Sequence, residues 1–436
     1  MPTNTEKSFR VGMITDELAA AGGIEESIIT LVQALRSYGV DSVVLSCQAY
    51  PPDNQYALRL KASQIPTYIM PQCLLWLRDE AGRLADIINW SILILAWPIT
   101  VGAILWQLFF KKRNIRQCLS SLLGRLRQLV KIRAVLKFGW RVFLLQWLKQ
   151  HQSDIIHVHG YGGGVVPKWV VGAVVTSGLP VVYSEHGVPW PDLKNDPELC
   201  QDLSSVQQII AISETTASAL KECCGVTRSV HIIHHVVPDL QLQDISSPVK
   251  NLPKQSLVLG CVAMLRPPKG HIYWLRSMPK VLQHYPQARF AIAGDGPERQ
   301  ILEQETRSLS ISNYVDFLGV VDHSNLAKLM LEWDIFVLPS LEEPLGIVVV
   351  EAMAAGLAIV ATAAGGVLDL VEHNHSALLV PPGDSNSLAK AQLQLAGDPE
   401  LRKRLGQNAR KAYEQGSFTT QSVGSATFMV YREAMS

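Results

Sequence analysis

The chain has 436 residues, enough for two domains of about 200 residues each, and with 48% hydrophobic against 18% charged residues it calls for a large buried core or membrane contact. Its net charge of +1 hides an asymmetry: residues 111–149 carry eleven Lys/Arg and no acid, leaving 28 basic against 38 acidic residues, or −10, elsewhere. That distribution excludes a general nucleic-acid binder, which spreads basic residues over a folded face.

The seven cysteines show no C-x-x-C and no His/Cys ligand spacing, and Cys223-Cys224 is a vicinal pair, so a reduced, cytoplasmic setting is expected. The first eight residues are polar and show no signal peptide. Residues 9–15 read as a strand, and Gly22-Gly23 as a turn. A helical pattern follows (Ile28, Leu31, Val32, Leu35), ending at Gly39, and residues 41–47 read as a second strand. This is a βαβ start without G-x-G-x-x-G, so it is no dinucleotide fingerprint. Residues 66–71 read as a third strand.

The alternation then breaks. Residues 87–110 carry no charge and are long enough to span a bilayer. Lys111-Lys112-Arg113 follows, then a basic helical pattern over 119–148 with Trp140 and Trp147. Hydropathy alone gives a transmembrane helix with a cytoplasmic positive flank. A single crossing, however, would put strands of one sheet on opposite sides of the membrane, and a second would have to use the basic stretch. Pro98 also interrupts the apolar run. The expectation is an insertion over about 73–150 that dips into or lies on the inner leaflet of the cytoplasmic membrane through residues 87–149. Apolar and Trp side chains and anionic lipid would hold it there. A true span and a soluble helical insertion are the alternatives.

Residues 154–160 resume the strands and run into a glycine loop. His157 and His159 lie two apart on one side; that spacing suits a metal, but no third ligand is apparent, and histidines at a sheet edge are the simpler reading. The strand over 180–185 ends in Glu185-His186-Gly187, which places His186 at a carboxyl strand end facing a cleft. Strands over 208–213 and 229–237 complete this half, with Ser213-Glu214 as a helix cap, and residues 239–254 read as a linker.

The second half reads as strands at 257–264, 290–293, 315–318, 334–338, 358–361 and 377–380 with helices between, the doubly wound α/β pattern. Arg266 and Lys269 follow the first of these strands and suit a diphosphate, Arg as a fork and Lys as a point charge. Gly294-Asp295-Gly296-Pro297 is a tight turn. After the strand over 335–338 comes a polar loop, and Gly346 opens a helix through residue 355. Backbone N–H groups near Gly346 are then available to phosphate oxygens. Glu343 on the loop and Glu351 in the helix suit the hydroxyls of a sugar and a ribose, although a capping acid and a solvated helix acid account for them equally well.

The run from Glu343 through Pro344, Leu345, Gly346 and Ile347 to Glu351 resembles the E-x7-E signature of the retaining family-four glycosyltransferases of GT-B fold, with Leu345 where that family usually has Phe. The resemblance covers nearly the whole second half but only scattered motifs of the first, and residues 73–150 fall outside it. It implies two facing Rossmann-like domains. Residues 1–245 would form the acceptor side with the insertion, 246–416 the nucleotide-sugar domain, and 417–436 a helix packing back on the first. It also implies roles: Glu343 on the donor-sugar hydroxyls, Glu351 on the ribose, His186 near the transferring sugar, and Gly22-Gly23 as a close backbone approach to donor and acceptor. Lys269 matches the family's lysine in G-R-L-x-x-x-K-G; Met264 stands where its arginine would be, with Arg266 as a substitute. Gly294, Asp295 and Gly296 would shape the nucleotide wall. His234-His235 stands where the family often has Asn-Gly and is assigned no role.

No D-x-D triplet occurs, so no metal and no cofactor are expected. The implied activity is sugar transfer from a nucleotide-sugar donor with retention of configuration. Position and composition of the insertion add a lipid-linked saccharide acceptor in cell-surface polysaccharide synthesis. A nucleotide-sugar epimerase of the same fold and a catalytically silent membrane-bound scaffold are the competing readings.

Overall fold

The computed structural model describes residues 8–16, 23–51, 53–71, 132–160, 170–187, 197–237 and 256–436. Gly22, the apolar run at 87–110 and the whole linker at 239–254 therefore lie outside the described residues.

Apolar, β-branched strands between amphipathic helices bury both sheet faces and so form parallel sheets. The first half contains β1 (Phe9–Thr15), α1 (Gly23–Leu35), β2 (Val40–Ser46), α2 (Gln55–Ala62), β3 (Thr67–Ile69), α3 (Ile132–Gln150) and β4 (Ile155–Gly160). It continues with β5 (Val181–Glu185), α4 (Pro197–Ser204), β6 (Gln208–Ala211), α5 (Glu214–Cys224) and β7 (His231–Ile232). Ser213 caps α5, accepting from the Thr216 N–H. These strands form one parallel sheet in the order β3-β2-β1-β4-β5-β6-β7.

The second half contains β8 (Val258–Val262), α6 (His271–His284), β9 (Arg289–Ala293), α7 (Arg299–Ser308), β10 (Val315–Gly319), α8 (His323–Met330) and β11 (Ile335–Leu338). After these come α9 (Ile347–Ala354), β12 (Ala358–Thr362), β13 (Leu378–Val380), α10 (Ser385–Gly397), α11 (Pro399–Gln415) and α12 (Thr420–Met435). Its sheet order is β10-β9-β8-β11-β12-β13, again parallel.

In both sheets the strand order reverses beside the first strand, between β1 and β4 and between β8 and β11. Such switch points open a crevice at the carboxyl ends of the strands, where open α/β sheets take ligands. The helix α12 returns to the first domain and packs on α1: Phe428 stacks on Phe9 and Tyr38 at 6.1 and 5.3 Å. Gly424 gives the close approach, since a Cβ there would stand 3.0 Å from that of Ala34.

Two expectations are corrected. Trp140 and Trp147 on α3 are 1% and 4% exposed and lie in the core of the first domain with Leu144, Leu148 and Val158. They anchor α3 to the sheet and are not available to a lipid surface. The strand expected over 229–237 shortens to His231–Ile232, because the chain beyond it leaves the sheet. Ile233 N–H donates to Ala211, and Val237 N–H donates to the Phe418 carbonyl in the return segment. No helix among the described residues is long and apolar enough to cross a membrane.

Candidate active site

The two switch points face one cleft of about 770 Å³, lined by Thr15, His159, His186 and His235 from the first domain and by Lys269, Glu343 and Glu351 from the second. That volume suits a ligand of nucleotide-sugar size. Bonds among the described residues that tie the two domains together include Ser213 Oγ to the Pro344 carbonyl at 2.6 Å, Glu214 N–H to Asp369 at 2.7 Å, and Tyr413 OH to the Val237 carbonyl at 3.0 Å.

On the second domain, the chain leaving β8 turns at Pro267–Lys269 and enters α6 through Gly270, whose φ is +65°. Only glycine suits this position, because a Cβ would meet the Pro339 carbonyl oxygen at 2.1 Å. Leu341 N–H donates to the Pro268 carbonyl at 2.7 Å, locking this turn to the loop after β11. The two motifs are thereby brought together. Lys269 Nζ contacts Glu343 Oε2 at 2.7 Å, and Ser340 Oγ donates to the same oxygen at 2.9 Å. Gly365 and Gly366 brace the Glu343 loop from behind: Gly366 N–H donates to the Glu343 carbonyl, and a Cβ on Gly366 would meet the Pro344 carbonyl oxygen at 2.2 Å.

Pro344, Leu345, Gly346, Ile347 and Glu351 line the cleft, as do Arg266, Gly294 and Asp295. Met264, at the position the resemblance gives to an arginine, lines it too, so Arg266 stands at the same wall as the position it would replace. The Asp295 carboxylate accepts from Gly296 N–H at 2.7 Å and Arg299 at 3.1 Å, and the turn at 294–297 holds the loop at 263–266 through Leu265 N–H and the Asp295 carbonyl. Gly296 does not line the cleft; its role is that close backbone packing. Gly23 opens α1, beside cleft residues Ile24, Glu25 and Glu26.

Burial pushes the Glu351 carboxyl up to about 8, and the negative charge of Glu26 across the cleft adds to it. Glu26 itself holds the Arg59 guanidinium in a fork, at 2.5 and 2.8 Å. The residue alphabet gave no warning of this facing pair, because Glu26 lies on an ordinary amphipathic helix.

On the first domain, Glu185 accepts from Tyr183 OH at 2.7 Å and Gly187 N–H at 3.0 Å, which fixes the turn that presents His186. His186 bonds to both His159 and His235, at 2.9 and 2.6 Å. Burial lowers all three, His186 to about 4. His235 was assigned no role from the sequence, and only its approach across the end of the sheet brings it here. His157 belongs to a separate link, with Tyr431 OH and Ser184 Oγ each at 2.7 Å. No group of three His, Cys, Asp or Glu among the described residues is arranged to hold a metal.

Residues 243–412 match the family model of group 1 glycosyl transferases, and residues 124–239 match that of glycosyltransferase family 4. The second match includes α3, so the likeness extends into residues 124–150, beyond the scattered motifs of the first half. An uncharacterized glycosyltransferase of Methanocaldococcus jannaschii is 36% identical over 168 residues, covering 38% of this chain and 42% of that protein. The N-acetyl-alpha-D-glucosaminyl L-malate synthase of Bacillus anthracis is 24% identical over 66% of this chain and 76% of its own length. Among solved structures, the Anabaena protein HepE in complex with UDP and glucose aligns with a TM-score of 0.69 at 20% identity, covering 97% of this chain and 99% of that one. The two halves of the chain thus each match one glycosyltransferase family model over part of the chain, and its fold is that of the GT-B glycosyltransferase structures.

Proposed function

We propose that the protein is a retaining, metal-independent glycosyltransferase that moves a sugar from a nucleotide-sugar donor to a lipid-linked saccharide at the cytoplasmic face of the membrane. The observation that carries the transferase reading is the Lys269–Glu343 contact at the mouth of a helix that starts at Gly346, inside a cleft between two switch points. UDP and UDP-glucose complexes of the Anabaena relative support a nucleotide-sugar donor, and the lipopolysaccharide core glycosyltransferase LpsD of Rhizobium meliloti, 30% identical over 48% of this chain, supports a glycan acceptor.

In this reading Lys269 and Arg266 stabilise the charge that grows on the departing nucleoside diphosphate. N–H groups at the start of α9 bind phosphate oxygens. A donor hydroxyl reaching Glu343 draws that carboxylate into the sugar site, releasing Lys269 toward the diphosphate. Glu351 accepts from the ribose. The two walls exclude water as the domains close. The lipid acceptor is supported by the apolar run at 87–110 and the basic run after it.

The test is nucleoside diphosphate release from a panel of nucleotide sugars, with and without a membrane lipid extract and with and without EDTA, followed by assignment of the product anomer. Release from one donor, accelerated by extract and indifferent to EDTA, with the anomer retained, is expected. Release that ignores the extract removes the lipid acceptor. An epimerised donor formed without acceptor replaces transfer by epimerisation, and donor binding with no turnover leaves the scaffold.

A further inference from the structure

His186, the histidine expected beside the sugar, has no ring nitrogen to spare. Its Nε2 lies 2.9 Å from His159 Nδ1, and its Nδ1 lies 2.6 Å from His235 Nε2. All three rings line the cleft and all are more than nine-tenths buried. The two outer nitrogens, His159 Nε2 and His235 Nδ1, are buried and have no hydrogen-bond partner among the described residues. Leaving such groups unmet is costly, and a catalytic role is one of the reasons native sites accept that cost.

A neutral imidazole has one donor nitrogen and one acceptor nitrogen. Burial holds these rings neutral near pH 7. Each of the two contacts needs one N–H and one lone pair, so the row has only two arrangements. Either all three rings carry their proton on Nδ1, or all three carry it on Nε2. In the first arrangement His235 ends the row as a donor and His159 as an acceptor; in the second the ends exchange. Taking up a proton at one outer nitrogen, passing one along each contact and releasing one from the other outer nitrogen converts one into the other without leaving a charged ring in the buried wall. The surrounding groups are occupied elsewhere. His157 is bonded to Tyr431 and Ser184, His234 Nδ1 to the Ile212 carbonyl at 2.8 Å, and Glu185 to Tyr183 and Gly187. Across the cleft stand Arg266, Lys269, Glu343 and Glu351, with Asp16, Glu25 and Glu26 on the near side.

We propose that His159, His186 and His235 form one proton relay, with His186 as its middle ring, that takes the proton of the acceptor hydroxyl at one end and releases a proton from the other during transfer. This rests on the transferase reading. In the step, the acceptor O–H bond breaks and its oxygen bonds to the donor anomeric carbon. The bond from that carbon to the diphosphate breaks, and its electron pair leaves on the phosphate oxygen. The proton released at the far end of the relay passes to that oxygen or to water.

Long-range ¹H–¹⁵N correlation spectra of the full chain labelled at histidine read the tautomer of each ring, assigned with single His→Asn variants. The relay requires the same tautomer in His159, His186 and His235; a mixed set overturns it, whether or not any transfer is detected. Kinetics of His235→Asn form the second arm, since an amide keeps a hydrogen-bonding group but does not pass a proton. The expected result is a fall in kcat of about 100-fold, at the lower end of general acid–base contributions, with KM for the donor within about threefold of the unaltered chain. Unchanged kcat, or a loss confined to KM, overturns the relay. If the unaltered chain transfers from no donor, the transferase reading fails, and the tautomers alone decide whether the linked row exists.

Discussion

Replacing Glu351 with Gln should change how stability depends on pH, and the size follows from the environment of this carboxyl. Its value in the folded protein is about 8, against an ordinary 4.5, because it is buried on α9 and faces Glu26. Between those values the folded chain keeps a proton that the unfolded chain has lost. Stability therefore falls as pH rises, by about 1.4 kcal/mol per unit, and levels off above pH 8. The loss reaches about 1.4 kcal/mol at pH 5.5 and about 4 kcal/mol at pH 8 on the same relation. Gln has nearly the same shape and does not ionise. Urea unfolding followed by tryptophan fluorescence at pH 5.5, 7 and 8 should show the advantage of Glu351→Gln widening by about 3 kcal/mol across that range. Parallel stability curves for the two proteins would refute the reasoning, because they would mean that Glu351 ionises in the folded state as it does in the unfolded chain.

Three further outcomes follow from the same geometry. His157 and His186 are held by burial to about 3 and about 4, below the unfolded value of 6.5, so the unfolded chain takes up their protons first and stability falls as pH drops below about 6.5. In the Glu351→Gln background, where the opposing carboxyl is silent, each should remove about 2 kcal/mol by pH 5, and a flat profile between pH 7 and 5 contradicts this. Lys269→Ala should lower kcat by about 10²–10³-fold while leaving acceptor KM unchanged, as for loss of one group that stabilises developing charge; unaltered turnover removes Lys269 from that role. Gly366→Ala puts a Cβ 2.2 Å from the Pro344 carbonyl oxygen and should cost about 1–3 kcal/mol and raise the donor KM, read by thermal unfolding and steady-state kinetics; wild-type values in both would show that the loop has room to shift.

The sequence by itself determined whatever is local in the chain. Apolar runs punctuated by glycine placed the strands of both sheets, and Ser213 signalled its helix cap. Glu343 and Glu351 were legible because eight residues of one loop and helix fix their separation. Lys269 was legible by its place after a strand. Tertiary structure decided what depends on approach between distant segments. The contact of Lys269 with Glu343 spans 74 residues and exists because β8 and β11 are neighbours. His235 meets His186 across 49 residues, and it does so only because the chain leaves the sheet after Ile232 and turns toward Phe418. Trp140 and Trp147 looked like lipid anchors, since composition records that a side chain is apolar but not which surface buries it. Glu26 and Glu351 raise the same point for charge: each sits on an unremarkable helix, and the energy between them appears only when two domains bring their carboxyl strand ends to one cleft.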